Sequence, residues 1–318
     1  MYKGDFMERP FVAFTQKKPL PASALIKLAA EKNAQLMREK TVQEHREILD
    51  KLAEVRLVSP LNHVDAVQCA GVPCEWISRT GSRADKVVLY IHGGSWAFGN
   101  LKTARAAGIH LCEAAGFRVL SVEYSLSPEH PYPKGLTDCR SVYDWLLENG
   151  YTNRDILFFG DSAGGNLCLA LLHQLRDEGE ALPLGVACAS PAVDLTAESQ
   201  LIRDAPDLIY TIWEGKEEDI FSLYAGDHPR DNAYISPLYG DLQHFPPILI
   251  HVGEEEAMME DCVAFGNKAR QQGGRVLVKV WKGMFHDFTV VGNTLLESGR
   301  SMRQIGWFFQ KLVDKSSS

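Results

Sequence analysis

The chain has 318 residues, 45% hydrophobic and 23% charged, and a formal net charge of −8. It is long enough to bury a sizeable core as one large domain, and an acidic balance without Lys/Arg clusters argues against nucleic acid or an anionic membrane as partner. No stretch approaches ~18 consecutive apolar residues, and residues 1–14 lack a basic segment followed by an apolar core, so neither a transmembrane helix nor a signal peptide is expected.

Residues 22–51 are helical in composition, and Thr41-Val42-Gln43-Glu44 has the form of a capping box. Threonine and glutamate at that spacing satisfy each other's backbone N–H groups, so two helices with a break at Thr41 are predicted. Strands follow at about residues 57–67 and 72–78. Apolar, β-favouring runs then recur at residues 86–91, 117–123, 156–159, 185–189, 247–252 and 276–281. The intervening helices end at Gly116, Gly150 and Gly273, residues suited to a left-handed C-terminal position. Strands alternating with helices predict an α/β fold, a mostly parallel central sheet flanked by helices. Residues 197–233, acidic and aromatic, interrupt that pattern.

Chemistry-bearing residues follow the strands. After residues 86–91 comes His92-Gly93-Gly94-Ser95-Trp96. Backbone N–H groups of a Gly-Gly loop can turn toward a substrate oxygen and stabilise its developing negative charge. After residues 156–159 comes Gly160-Asp161-Ser162-Ala163-Gly164, leading into a helix from about Asn166 to Leu175. So sharp a strand-to-helix turn brings backbone too close for side chains two positions either side of the serine, and glycine stands at both. With glycine near ~7% of residues, chance yields such a motif in roughly one chain in ten of this length, so its strand-helix context and the upstream Gly-Gly loop carry the weight. The alternative for Ser162 is a helix-capping residue in an ordinary turn. Read as a site, Ser162 is the nucleophile, and Gly93, Gly94 and Ala163 are the expected oxyanion donors. Asp161, beside the nucleophile on a tight turn, is expected to bind nearby backbone.

A base and an acid are needed to activate the serine, in chain order Ser, acid, His. His286, in the loop after residues 276–281, fits the base. His251 lies inside a strand and is expected to pack there, while His92 shapes the oxyanion loop. After residues 247–252 the segment Gly253-Glu254-Glu255-Glu256 to Glu260-Asp261 offers several carboxylates, and spacing does not choose among them. Cys69, Cys74, Cys112, Cys139, Cys168, Cys188 and Cys262 lie mostly in apolar segments, so reduced, buried thiols and a cytoplasmic location are expected. No Cys/His spacing resembles a metal site, and the chemistry requires no cofactor.

With these motifs the chain resembles the hormone-sensitive-lipase-like (bacterial family IV) carboxylesterases of the α/β-hydrolase fold. Glu123-Tyr124-Ser125-Leu126-Ser127-Pro128-Glu129 looks like that family's Tyr-Arg-Leu-Ala-Pro-Glu stretch, and Ser236-Pro237-Leu238 like its Ser-Pro-Leu segment. The resemblance runs from about Val87 to the C-terminus, with departures at Ser95, Ser125 and Ala257. It implies Glu256 as the acid, in the place of the family's usual aspartate. It also implies a helical cap, from residues 1–55 and 197–235, over a hydrolase core of residues 56–196 and 236–318. A solvent-facing arm against a partner is the alternative for the N-terminal helices. Trp96 and Phe98 beside the oxyanion loop, and Ile212 and Trp213 in the second cap segment, are the expected pocket residues, although burial against the core explains the last two equally well. The implied activity is hydrolysis of short- to medium-chain acyl esters, small-molecule substrates. The rivals are a non-catalytic ligand receptor on the same fold and an amide hydrolase with the same triad. Oligomeric state is left open, a homodimer being one option.

Overall fold

The computed structural model describes residues 12–15, most of 26–54, 59–196, 219–292 and 295–316. Strand β4 (Arg83–Ile91) shows why this sequence builds a sheet covered on both sides. Val87, Leu89 and Ile91 enter the core on one face, while Val88 and Tyr90 enter the core on the other. A continuous apolar run is what a parallel strand buried on both faces requires.

Among the described residues nine strands form one sheet, in the order β1 (Val12–Phe14), β9 (Val276–Trp281), β8 (Ile248–Gly253), β7 (Gly185–Ala189), β6 (Ile156–Asp161), β4, β5 (Phe117–Val122), β3 (Val72–Arg79), β2 (Asn62–Cys69). The β2–β3 and β3–β5 pairs are antiparallel. All other neighbours are parallel. The carboxyl ends of β4, β6, β7, β8 and β9 therefore share one edge of the sheet, where ligands of such sheets sit.

Helix α1 (Val42–Glu54) begins at the expected capping box: the Thr41 N–H donates to the Glu44 carboxylate at 2.9 Å and the Glu44 N–H to the Thr41 hydroxyl at 3.2 Å. Only parts of the preceding helical stretch, from residue 26 to 35, are described. Helices α2 (Leu101–Ala115) and α7 (Leu296–Ser316) pack on one face of the sheet through residues such as Leu111, Ile305 and Phe308. Helices α3 (Lys134–Glu148), α4 (Ser162–Asp177) and α6 (Met259–Gln271) cover the other through Val142, Leu169 and Phe265. Asn100 closes a capping box at the start of α2, and Gly116 ends it at φ 71°, donating its N–H to Cys112 O at 2.9 Å. Short helix α5 (Ile220–Ala225) starts at Asp219, whose carboxylate accepts the Phe221 and Ser222 N–H groups at 2.9 Å each. Ile212 and Trp213 lie outside the described residues.

Two differences from expectation concern the edges. The first predicted strand begins at Asn62 rather than near residue 57. Strand β1 was not anticipated, because three residues are too short to show a period. Val12 pairs with Val278, the Thr15 N–H donates to Val280 O at 2.9 Å, and the Thr15 hydroxyl accepts the Lys282 N–H at 2.8 Å. This strand covers the otherwise open side of β9.

Candidate active site

Ser162 is the first residue of α4, directly after β6, at φ 49°. The turn is tight enough that a Cβ on Gly160 would lie 2.4 Å from the Gly164 backbone, and one on Gly164 would lie 2.0 Å from Ile91 O. The serine is thus pinned against the end of β4 at the amino end of α4, where the helix dipole favours negative charge.

Three residues far apart in sequence meet here. His286 Nε2 lies 3.1 Å from Ser162 Oγ, and His286 Nδ1 lies 2.7 Å from Glu256 Oε2. All three side chains are buried, so the bonds act in a low-dielectric setting. The second Glu256 oxygen accepts the Ser190 hydroxyl at 2.8 Å and the Gly253 N–H, so the carboxylate is held on both sides. The competing acids point elsewhere: Glu254 accepts the Gly283 N–H at 2.9 Å, Glu255 pairs with Lys27, and Asp261 lies in α6. Burial opposes charge on His286, but the Asp287 and Glu256 carboxylates outweigh it and hold its pKa well above the ordinary histidine value.

The oxyanion loop differs from expectation at one donor. The Gly93 N–H donates to Asp161 Oδ2 at 3.0 Å and is therefore occupied. The other Asp161 oxygen accepts the Tyr90 hydroxyl at 2.9 Å. Burial, and then the nearby Asp287, push the Asp161 pKa up to about 7 against the pull of these two donors. Gly94 (φ 120°), Ser95 (φ 53°) and Trp96 (φ 54°) then run in left-handed conformations. Gly94 O accepts the Ala97 and Phe98 N–H groups at 3.0 and 2.8 Å, closing the turn. The N–H groups of Gly94 and Ser95 make no hydrogen bond with the described residues. That of Ala163, in the first turn of α4, has no intrahelical acceptor. Free donors therefore come from Gly94, Ser95 and Ala163. His92 braces the loop: its Nδ1–H donates to Gly93 O at 2.7 Å, its ring stacks on Tyr124 at 4.6 Å, and its own carbonyl accepts the Tyr124 hydroxyl at 2.9 Å. Burial lowers the His92 pKa to about 4, so the ring is neutral. His251 is a packed strand residue, with Nδ1 2.7 Å from Ser301 Oγ and its ring against Trp281.

Trp96 and Phe98 are both buried and face different neighbours. The Trp96 indole stacks on Tyr224 of α5 at 4.4 Å, while Phe98 packs on His45 of α1 at 4.9 Å. Arg46 of α1 ties the same loop down. Its guanidinium donates to Ala97 O at 2.8 Å, to Ser127 O at 2.8 Å, and through two nitrogens to Glu129 at 2.8 and 2.9 Å. Sequence reasoning did not single out Arg46, Ser190 or Asp287. Ser190 (φ 47°) follows β7 directly, and Asp287 (φ 58°) follows His286. For these two, the position just past a strand or beside His286 was the available signal.

Residues 88–290 match the α/β hydrolase fold family. An esterase of Acinetobacter venetianus is 33% identical over 269 residues, 84% of this chain and 88% of that protein. An acetyl-hydrolase of Streptomyces hygroscopicus is 35% identical over 248 residues, 77% of this chain and 82% of that one. Among solved structures, an esterase of the bacterial hormone-sensitive lipase family aligns with a TM-score of 0.85 at 31% identity, covering 93% of this chain and 100% of that chain. The esterase EstE5, soaked with p-nitrophenyl butyrate, aligns at 0.84 and 28% identity, covering 93% of this chain and 99% of its own. The chain is a carboxylic ester hydrolase with the α/β-hydrolase fold, and it belongs to the hormone-sensitive-lipase-like, bacterial family IV, carboxylesterases.

Proposed function

We propose that this enzyme hydrolyses short- to medium-chain acyl esters through an acyl-enzyme intermediate on Ser162. His286 takes the Ser162 proton as the hydroxyl attacks the ester carbonyl, then passes it from Nε2 to the leaving alcohol. A water molecule repeats the sequence on the acyl-enzyme. Glu256 orients the imidazole and stabilises the imidazolium, and Gly94, Ser95 and Ala163 stabilise the oxyanion. The observation that carries this reading is His286 bridging Ser162 Oγ at 3.1 Å and Glu256 at 2.7 Å through its two ring nitrogens. The intact set also favours an enzyme over a ligand receptor. Residues 1–55 and 197–235 form the cap in this reading, and the contacts of Trp96 with Tyr224 and of Phe98 with His45 support it. All seven cysteines are free and buried, which supports a reducing compartment, the cytoplasm. Among the described residues no helix is long and apolar enough to cross a membrane.

The short-chain preference rests on the buried Trp96 and Phe98 beside the oxyanion loop, and on relatives named as an acetyl-hydrolase and as an esterase soaked with a butyryl ester. In a p-nitrophenyl ester series from acetyl to palmitoyl, kcat/KM is expected to peak between acetyl and hexanoyl and to fall at least about tenfold by palmitoyl. A maximum at palmitoyl would overturn the chain-length assignment.

Arg46 offers a second test, because it joins α1 to the loop that carries the oxyanion donors. Arg46→Ala is expected to lower kcat about ten- to a hundredfold through donor misplacement. The Tm should move little, since the ion pair with Glu129 is partly exposed. Unchanged kcat would mean that the loop holds its shape without the clamp.

A further inference from the structure

One carboxylate at the site has no part in the chemistry above. Asp287 Oδ2 lies 3.2 Å from His286 Nε2, and Ser162 Oγ lies 3.1 Å from the same nitrogen. A neutral imidazole whose Nδ1–H donates to Glu256 presents a lone pair at Nε2. That lone pair accepts the serine O–H but repels an ionised carboxylate at the same range. The Asp287 contact is favourable only when Nε2 carries a proton. Backbone geometry holds the carboxylate there: Asp287 adopts φ 58°, and its N–H donates to the Ser190 hydroxyl at 3.3 Å. Its other oxygen is buried with no hydrogen-bond partner among the described residues, so no competing donor draws the side chain away.

We propose that Asp287 is a positioning residue that favours the proton on His286 Nε2, so that the base becomes free only as pH rises, and that it then steadies the imidazolium formed when Ser162 is deprotonated. The inference rests on the acyl-enzyme reading of the site. No net transfer involves Asp287: the proton leaves Ser162 Oγ for Nε2, then leaves Nε2 for the alkoxide oxygen of the departing alcohol.

The groups around it set the sign. Glu256, from the loop after β8, faces Nδ1. Asp161, at the end of β6, interacts with Asp287 and is itself bonded to Tyr90 of β4. These neighbours are acidic or phenolic, and burial works against the negative charges in stabilising an imidazolium. Below the raised His286 pKa the ring is doubly protonated and accepts nothing from Ser162, so activity falls on the acid side. Removing the Asp287 charge releases the proton at lower pH.

The test compares wild type, Asp287→Asn and Asp287→Gly, measuring kcat/KM for p-nitrophenyl acetate against pH. The ring nitrogens of 15N-histidine-labelled protein are followed over the same range. Asparagine and glycine both accept a left-handed φ, so the loop keeps its path. Both variants are expected to retain about tenfold more of their plateau activity on the acid limb near pH 5.5, and the His286 ring should lose its imidazolium signal at lower pH than in wild type. An acid limb and histidine titration unchanged in both variants would overturn the proposal. So would a limb that moves while the His286 titration stays, which assigns the limb to Asp161. Failure of the acyl-enzyme reading looks different, since the wild type would then show no hydrolysis dependent on Ser162, and the ring titration, which needs no turnover, still decides the place of Asp287.

Discussion

Ser162→Ala is expected to lower turnover of an activated ester by about 10⁶ while leaving the fold in place. Among the described residues the hydroxyl makes one hydrogen bond, to His286 Nε2, and the elbow is held by Gly160 and Gly164 rather than by that bond. Alanine keeps the Cβ and the backbone path. What disappears is the nucleophile, and residual rate should come from the oxyanion donors and substrate binding alone. Glu256→Gln should cost less, about 10⁴, because a misoriented histidine remains a base. Single-turnover measurement with p-nitrophenyl acetate, beside circular dichroism of both variants, checks the pair. A folded Ser162→Ala protein that keeps more than about 1% of wild-type turnover would remove Ser162 from the mechanism.

Gly164→Ala is expected to act on stability by a comparable order of severity. Its Cβ would lie 2.0 Å from Ile91 O and 2.6 Å from His92 O, and both atoms are backbone at the end of central strand β4. No flexible side-chain tip is available to move aside, so either the elbow or the sheet must open. We expect a loss of more than about 4 kcal/mol, or no folded protein at all. Gly150→Ala is the control: its Cβ would meet nothing within 4 Å, and only the left-handed φ of 96° opposes it. That variant should lose about 1–2 kcal/mol. Urea unfolding of the two variants, read as a shift in midpoint at constant slope, separates collision from conformational strain. Equal losses would mean that the elbow yields easily and that the spacing of its glycines reflects something else.

Much of the sheet was legible because buried parallel strands are short, apolar and set off by glycine. Residues 185–189 and 276–281 emerge as strands with the expected ends, and β6 runs two residues further, to Asp161. Strand β1 was illegible since three residues carry no period, and its pairing with β9 joins positions more than 260 apart in the chain. At the site, chain order and strand ends pointed to Ser162 and His286, and the structure brings them together. Glu256 was a different matter. Glu254, Glu255 and Asp261 had equal claims by composition, and only the resemblance to a family selected among them. Gly93 shows the limit of motif reading: a Gly-Gly pair announces free backbone, but which N–H is already taken depends on Asp161, brought across by β6 beside β4. The contacts of Arg46, Ser190 and Asp287 cross 51 to 97 residues of sequence or depend on a local φ, and neither leaves a periodic trace.

The left-handed residues at the site carry a further consequence. Ser95, Trp96, Ser162, Ser190 and Asp287 all hold positive φ, and none is glycine. Each such residue stores on the order of 1–3 kcal/mol of backbone strain that the surrounding sheet must offset. The reactive centre is therefore a net load on the fold, carried by the two apolar faces of the sheet. Selection for heat resistance alone would drift these positions toward glycine and erase the Ser162 hydroxyl, the Ser190 hydroxyl that holds Glu256, and the Asp287 carboxylate beside His286. Durable variants of this esterase are better sought in the flanking helices, leaving the tension at the strand ends untouched.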